Sequence, residues 1–127
     1  MKILLISPLI GDNVRREKGL FFPSLALYIL EGLTPSGHSV KIVEEELEGV
    51  PCEEKFDLVG ISCMTANAPR AYQFADGFKE KGIKVILGGI HPTILPDEAL
   101  EHADSVVIGE AEGVWENVLE DFIAGHL

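Results

Sequence analysis

Five short apolar segments recur along the chain, each rich in β-branched residues and bounded by polar or turn residues. They are Lys2–Ser7, Val40–Glu44, Asp57–Ser62, Lys84–Gly88 and Ser105–Gly109. Three of them are almost continuously apolar rather than alternating, which is the pattern of strands covered by helices on both faces of a parallel sheet. The second segment carries Lys41 and Glu44 and is predicted to form an edge strand.

Stretches with helical periodicity separate the predicted strands. The pattern predicts helices over Pro23–Thr34, Ala68–Lys81, Pro96–His102 and Glu112–Ala124. Turn residues support these limits, because Pro35 and Gly37 follow the first helix and Gly82 follows the second. Trp115 and Phe122 lie seven residues apart on the last helix, which is the spacing of side chains that pack into a core.

The alternation of strands and crossover helices predicts one α/β domain over residues 1–127. Right-handed crossovers give a flavodoxin-like (Rossmann-like), doubly wound, five-stranded parallel sheet of order 2-1-3-4-5, in three α/β/α layers. No repeat, linker or low-complexity tract interrupts it. Ligands of such sheets bind at the carboxyl ends of the strands, so candidate residues are expected in the loops that follow them.

The loops after the first and third strands each allow two interpretations. Ser7–Ile10 leads into a polar run over residues 11–19, and a long irregular loop there is either a ligand clamp or a connection. Ser62–Thr65 precedes a helix N-terminus, whose free N–H groups favour an anion or a polar ligand edge. The alternative is that Thr65 or Asn67 caps that helix.

The loops after the fourth and fifth strands are rich in glycine. Gly88 and Gly89 allow the backbone to approach a bulky ligand closely, although a tight turn would also explain them. His91 follows, and a lone histidine is more often a hydrogen-bonding residue than a metal ligand. Gly109–Glu112 supplies carboxylates that either border a ligand or complement the dipole of the next helix.

Composition narrows the classes of partner. The chain has 127 residues, 46% hydrophobic residues, a net charge of −11 and a pI near 4.6, so its surface repels phosphate backbones and anionic lipid. We therefore expect neither a nucleic-acid nor a membrane partner, and no apolar stretch approaches the roughly 20 residues that a membrane helix needs. Cys52 and Cys63 lack the spacing of a metal or disulfide site, and no secretory leader is visible, which favours reduced thiols and a cytoplasmic location.

The sequence lacks the motifs by which catalytic and phosphate-binding α/β domains are recognised. A phosphate-accepting receiver domain needs acidic residues and a lysine at the strand ends, where this chain has Ser7, Ser62 and Gly109. The loop after the first strand also lacks the hydroxyl- and glycine-rich composition of an FMN phosphate loop. There is no dinucleotide-binding glycine motif, phosphate-binding P-loop or nucleophile elbow, so the chain offers no catalytic residues and a stand-alone enzyme is the weakest hypothesis.

An ordered series of segments resembles a known family. The segments are Phe21–Tyr28, Gly37–Val40, Asp57–Ser62, Gly88–Thr93 and Val107–Glu112. The series resembles the cobalamin (B12)-binding domain that precedes the catalytic barrel in B12-dependent radical SAM enzymes. It covers essentially the whole chain, and although each segment alone is a weak signal, the ordered set is fairly specific.

This resemblance implies that cobalamin lies over the carboxyl edge of the sheet, with its nucleotide tail reaching between strands. The implied cofactor-binding residues fall into five groups. Those facing the corrin are Ser7, Pro8, Leu9 and Ile10, and those along the tail are Ser62, Cys63, Met64 and Thr65. Those admitting the tail are Gly88 and Gly89, the polar wall is His91, and those on the far side of the tail are Gly109 and Glu110. Other cobalamin domains carry an Asp-x-His-x-x-Gly loop whose histidine ligates cobalt. The loop after the first strand here has no histidine, so the resemblance implies a lower cobalt face that is water-bound, empty or covered by a non-ligating side chain.

The resemblance also implies a larger protein. Members continue into a radical SAM barrel, in which a Cys-x-x-x-Cys-x-x-Cys motif holds a 4Fe–4S cluster and S-adenosylmethionine binds, and residues 1–127 contain no such motif. We expect the chain to be the N-terminal part of such a methyltransferase or cyclase, serving as its cobalamin module. The alternative is a domain that has lost cobalamin and serves as a structural or interaction module beside the barrel.

Overall fold

A five-stranded parallel sheet organises the computed structural model, which describes residues 1–11 and 23–127. The strands are β1 Lys2–Ser7, β2 Ser39–Glu44, β3 Leu58–Ser62, β4 Lys84–Gly88 and β5 Ser105–Val107. Their order is β2-β1-β3-β4-β5 and each neighbouring pair is parallel. The predicted flavodoxin-like sheet, with β2 at one edge, is confirmed.

Helices cover both faces of this sheet. They are α1 Leu25–Leu33, α2 Ala68–Glu80, α3 Ile90–Ile94, α4 Pro96–Leu100 and α5 Trp115–Ala124, with a 3-10 turn at Thr65–Asn67. α1 and α5 contribute to the core on one face, whereas α2 and α4 contribute to the core on the other. The three-layer arrangement is therefore confirmed for the described residues. Residues 12–22, which include most of the polar run after β1, lie outside them.

Several elements differ from the sequence predictions. β5 ends at Val107 rather than Gly109, because Gly109 turns the chain with a φ of 80°. The last helix begins at Trp115 rather than Glu112. The short helix α3 was not predicted, since its Gly-Gly-Ile-His-Pro sequence is typical of a loop. Pro92 fits there because it lies in the first turn, where no intrahelical N–H bond is lost.

Alternation along the strands divides the interior into two cores. Leu4, Val59 and Leu87 face α2 and belong to one cluster with Phe78. The strand residues next to these in sequence face α1 and α5 and belong to the other cluster. That cluster includes Ile3, Leu5, Leu58 and Ile86 from the strands and Trp115 from α5. Trp115 is buried and Phe122 packs at the margin of that cluster, so the predicted packing role of both is confirmed.

The complete burial of Leu87 in the core on the α2 side gives a first prediction. Leu87→Ala should lower the free energy of unfolding by about 2–5 kcal/mol, because it removes a fully buried side chain from the sheet centre and leaves a cavity. Leu47→Ala is the matched control, because Leu47 is 61% exposed and its truncation should change stability by no more than about 0.5 kcal/mol. Urea denaturation measures both, and equal losses would contradict the assignment of the core.

Candidate cofactor-binding site

A cavity of about 410 Å³ lies at the carboxyl ends of β3, β4 and β5, between the sheet and helices α1 and α5. Its wall includes Leu5, Gly60, Ser62, Ile86, Gly88 and Val107 from the strands, Ala26, Leu27 and Leu30 from α1, and Trp115 from α5. The rim includes Gly89, Ile90, Thr93, Ile94 and the loop Gly109–Glu112. This volume lies within the range of roughly 300–1,000 Å³ that small-molecule sites occupy.

Small residues on one face of two neighbouring strands open this cavity. Strand alternation places Gly60 and Ser62 of β3 on the face toward α1 and α5, and Ser62 pairs with Gly88 of β4. A Cβ at Gly60 would come within 2.8 Å of Leu5 Cδ2, whereas one at Gly88 would meet only Val107 Cβ at 3.8 Å. Gly60 therefore makes room for the Leu5 side chain, which lines the cavity, and Gly88 leaves open space into which a larger side chain would project.

Gly60 was missed as a site residue by the sequence analysis. The available signal was a glycine inside an otherwise apolar strand, which weakens the strand and often marks a close approach by a ligand or another backbone. The wall residues of α1 and α5 were missed as well. Their apolar spacing is the same whether a helix covers a packed core or a cavity, so the sequence could not distinguish the two.

The adjacent glycine Gly89 has a separate structural reason. Its φ is 114°, and a Cβ there would lie 2.5 Å from the backbone oxygen of Cys63. The turn is further held by Thr93, whose hydroxyl donates to Gly89 O at 2.7 Å and accepts from Gly109 N at 3.0 Å. The protein's own backbone therefore requires glycine at this position, although Gly89 also borders the cavity.

The structure divides the thirteen predicted site residues into two groups. Ser62, Gly88, Gly89, Gly109 and Glu110 line the cavity. The remaining residues lie in the loops at the same sheet edge without lining it; they are Ser7, Pro8, Leu9, Ile10, Cys63, Met64, Thr65 and His91. All thirteen residues thus lie at one edge of the sheet, but their side chains do not all serve the same side of it.

A buried carboxylate fixes the start of the loop after β1. Glu45 accepts a hydrogen bond from Leu9 N at 3.1 Å and forms an ion pair with Arg70 at 2.6 Å. Asn67 donates to Pro8 O at 3.3 Å and accepts from Met64 N at 2.7 Å. The loops after β1 and β3 are therefore joined, and Asn67 braces them instead of capping α2 through its side chain.

His91 belongs to a chain of polar side chains on the α2 side of the sheet. Its Nδ1 lies 3.1 Å from Thr65 Oγ1, and its Nε2 lies 2.7 Å from Glu98 Oε2, which also accepts from Tyr72 at 2.7 Å. The hydrogen bonds from Tyr72 and from His91 lower the pKa of Glu98. A carboxylate only accepts, so Nε2 carries the proton, and Nδ1 of a neutral ring accepts from Thr65.

This chain of hydrogen bonds occupies both ring nitrogens of His91, so the residue is a hydrogen-bonding histidine. The exposed Thr65 oxygen keeps lone pairs that can accept from a ligand at the sheet edge. Among the residues that the structure describes, no group of three His, Cys, Asp or Glu side chains could hold a metal ion.

Cys63 faces the core opposite the cavity. Its side chain is fully buried, and burial raises the pKa of the thiol to about 11. The backbone of Cys63 links the loop after β3 to the end of β4 and to α3. Cys63 N donates to Gly88 O at 2.7 Å, and Cys63 O accepts from His91 N at 3.2 Å. The thiol itself is therefore a packing group that stays protonated at neutral pH.

Sequence comparison identifies the family. The profile of the B12 binding domain matches residues 17–119. This chain belongs to the B12 binding domain family. The predicted resemblance to cobalamin-binding domains is thereby confirmed.

Two curated relatives of this B12 binding domain come from Chlorobaculum tepidum. Bacteriochlorophyllide d C-8(2)-methyltransferase is 40% identical over 91% of the chain, and bacteriochlorophyllide d C-12(1)-methyltransferase is 34% identical over 99% of it. The chain spans only 26% and 28% of these relatives' lengths. It is therefore similar to about a quarter of each methyltransferase.

A solved structure is similar over most of this B12 binding domain. The N-terminal domain of a hypothetical protein from Thermotoga maritima has a TM-score of 0.50 and 26% identity, covering 89% of this chain and 92% of that one. Within residues 1–11 and 23–127, no helix is long and apolar enough to cross a membrane.

The two glycines after β4 should respond differently to alanine. Gly89→Ala should lower the free energy of unfolding by roughly 1–3 kcal/mol, because it forces a side chain into a glycine-only conformation against Cys63 O. Gly88→Ala is the matched control and should change stability by less than about 1 kcal/mol, since its Cβ has room. Thermal and urea unfolding compare the two, and equal destabilisation would contradict the separate roles.

The two thiols of this B12 binding domain should also differ in their rates of alkylation. Iodoacetamide at pH 8 should modify the partly exposed Cys52 at least about tenfold faster than Cys63, which is buried and protonated. Peptide mass spectrometry after timed quenching measures both sites, and urea-unfolded protein provides the control in which both react. Comparable native rates would show that Cys63 reaches solvent.

Proposed function

We propose that this domain binds cobalamin as the cofactor module of a radical SAM methyltransferase, with the nucleotide tail in the cavity beside Gly60 and Gly88. The observation that carries the proposal is this cavity, which opens at the carboxyl edge of the sheet on the side covered by α1 and α5. Membership of the B12 binding domain family supports the identity of the ligand.

The residues present fit the nucleotide tail. A flat aromatic base needs a narrow slot between the sheet and the helices. Gly88 leaves space there, and Gly60 leaves room for Leu5, whose side chain lines the slot. Leu27, Leu30 and Trp115 are buried on the opposite wall and offer apolar contact to the base. Burying such surfaces provides most of the affinity of small-ligand sites.

The loops at the same edge fit the corrin ring. Ile10 and Met64 are exposed there and offer apolar surface, while Thr65 offers a hydrogen-bond acceptor for the amide groups on the corrin rim. No histidine occurs in residues 7–24, so this loop supplies no nitrogen ligand to cobalt. Bound cobalamin would supply the reactive metal, and the domain would supply its position and surroundings.

The parent protein is proposed from the relatives. Both curated relatives are methyltransferases of which this chain spans about a quarter, so we place a radical SAM barrel with its 4Fe–4S cluster and S-adenosylmethionine outside these residues. Methyl transfer is the reaction that the relatives favour. A cytoplasmic location would keep Cys52 and Cys63 reduced.

Titration with hydroxocobalamin tests the proposal. The chain should bind about one equivalent, retain its colour through gel filtration and change its visible spectrum as the tail leaves cobalt and enters the protein. Gly88→Val should weaken binding at least about tenfold, or about 1.4 kcal/mol, because its side chain occupies the cavity. Gly49→Val is the matched control, since Gly49 lies in an exposed loop with open space around it.

Each outcome of this titration has a defined meaning. Equal binding by Gly88→Val and the unmodified chain, with circular dichroism showing both folded, would remove the cavity as the tail site. Absence of binding by the chain and by its full-length parent would instead identify a structural module. Electron paramagnetic resonance of bound cob(II)alamin should show no splitting by an axial nitrogen. Such splitting would mean that the nucleotide base or a protein nitrogen ligates cobalt, and either result would contradict the proposed binding mode.

A further inference from the structure

The side chains that the described residues contribute to the wall of the cavity are mostly apolar. Leu5, Ile86 and Val107 contribute from three strands, while Leu30 and Trp115 contribute from α1 and α5. All five side chains are buried in the same cluster. A planar ring placed among them contacts hydrocarbon and the indole of Trp115.

The polar groups of the wall already have partners inside the protein. Trp115 Nε1 donates to Thr34 Oγ1 at 2.9 Å. Thr93 donates its one hydroxyl proton to Gly89 O and accepts from Gly109 N, so it offers no donor to a ligand and keeps one lone pair. The backbone groups of Gly60 belong to the parallel ladders with β1 and β4, so they are committed to the sheet.

Polar groups without such commitments lie near the mouth. Glu110 and Glu112 are exposed there. Ser62 lies at the end of β3, and its hydroxyl has no hydrogen-bond partner among the described residues. Apart from these groups and one lone pair of Thr93, the described wall presents no side-chain donor or acceptor that a ligand could use.

We propose that the cavity selects cobamides whose lower base is an apolar aromatic ring, such as dimethylbenzimidazole, over cobamides whose lower base is a purine. This inference rests on the proposed cobalamin-binding function. Adenine and dimethylbenzimidazole are both fused six- and five-membered rings, so size does not separate them. Adenine carries an exocyclic amine and additional ring nitrogens that would lose water, and the wall offers fewer partners than these groups need. Dimethylbenzimidazole instead carries two methyl groups that gain apolar contact.

The expected preference has a moderate size. Polar groups buried without partners oppose binding, but an apolar pocket rejects a polar analogue of equal size by only about two orders of magnitude at most. We therefore expect the adenine-containing cobamide to bind roughly 10- to 100-fold more weakly than cobalamin. Val107 is the residue through which this preference should be adjustable, because threonine has nearly its shape and adds one hydroxyl to the cavity wall.

Parallel titrations with hydroxocobalamin, its adenine-containing counterpart and cobinamide, which lacks the nucleotide, test the inference. Tight binding of cobalamin with weaker binding of the other two supports it. Equal binding of cobalamin and the adenine cobamide, both tighter than cobinamide, overturns the selectivity while the proposed function stands. Equal binding of all three overturns the tail site, and binding of none overturns both proposals.

A pair of variants adds an independent measurement. Val107→Thr should reduce the ratio of the two cobamide dissociation constants at least about threefold, because the new hydroxyl can pair with a polar atom of adenine. Val106→Thr is the matched control, since Val106 is the neighbouring residue and packs against the opposite core; its ratio should stay unchanged. If the ratio of the two cobamide dissociation constants changed equally in both variants, the proposed role of Val107 in the cavity wall would be contradicted.

Discussion

The alternation of side chains along parallel strands is the constraint on which the rest of this structure depends. A strand residue can serve only one face, so Val59 and Ile61 stay in the α2-side core while Gly60 between them faces α1 and α5. Removing volume at Gly60 and Gly88 therefore opens space on one side of the sheet and leaves the packing on the other side intact. The domain holds a cavity without losing a continuous core.

The loops at the carboxyl edge depend on a second set of contacts. Glu45, which follows β2, connects the loop after β1 to Arg70 on α2. Asn67 connects the loops after β1 and β3, and Thr93 connects the loops after β4 and β5. These contacts involve buried or half-buried groups whose partners are mostly backbone atoms. These backbone atoms belong to loop residues outside the strand ladders, so the loops are held in place by side chains that satisfy backbone groups the sheet leaves unpaired.

The sequence contained enough information for the sheet and less for the site. Apolar runs such as Val85 to Leu87 have few alternatives to a buried strand, and short crossovers restrict the order of the strands. The helix after Gly89 was missed because its sequence is typical of a turn, and only the contact with Cys63 O reveals why glycine is required there. Gly60 could have been recognised from its position in a strand, but the wall residues of α1 and α5 have no signature that differs from ordinary packing.

The separation of the two cores bears on how such a domain changes over evolutionary time. Leu87 and Phe78 hold the α2 side, whereas Val107 and Leu30 border the cavity across the sheet. Substitutions at distant, non-contacting sites act nearly independently on stability. Substitutions on the cavity side can therefore change the preferred ligand while the α2-side core preserves the fold. Sequence differences between members of the family should accordingly be compared separately for the two faces of the sheet.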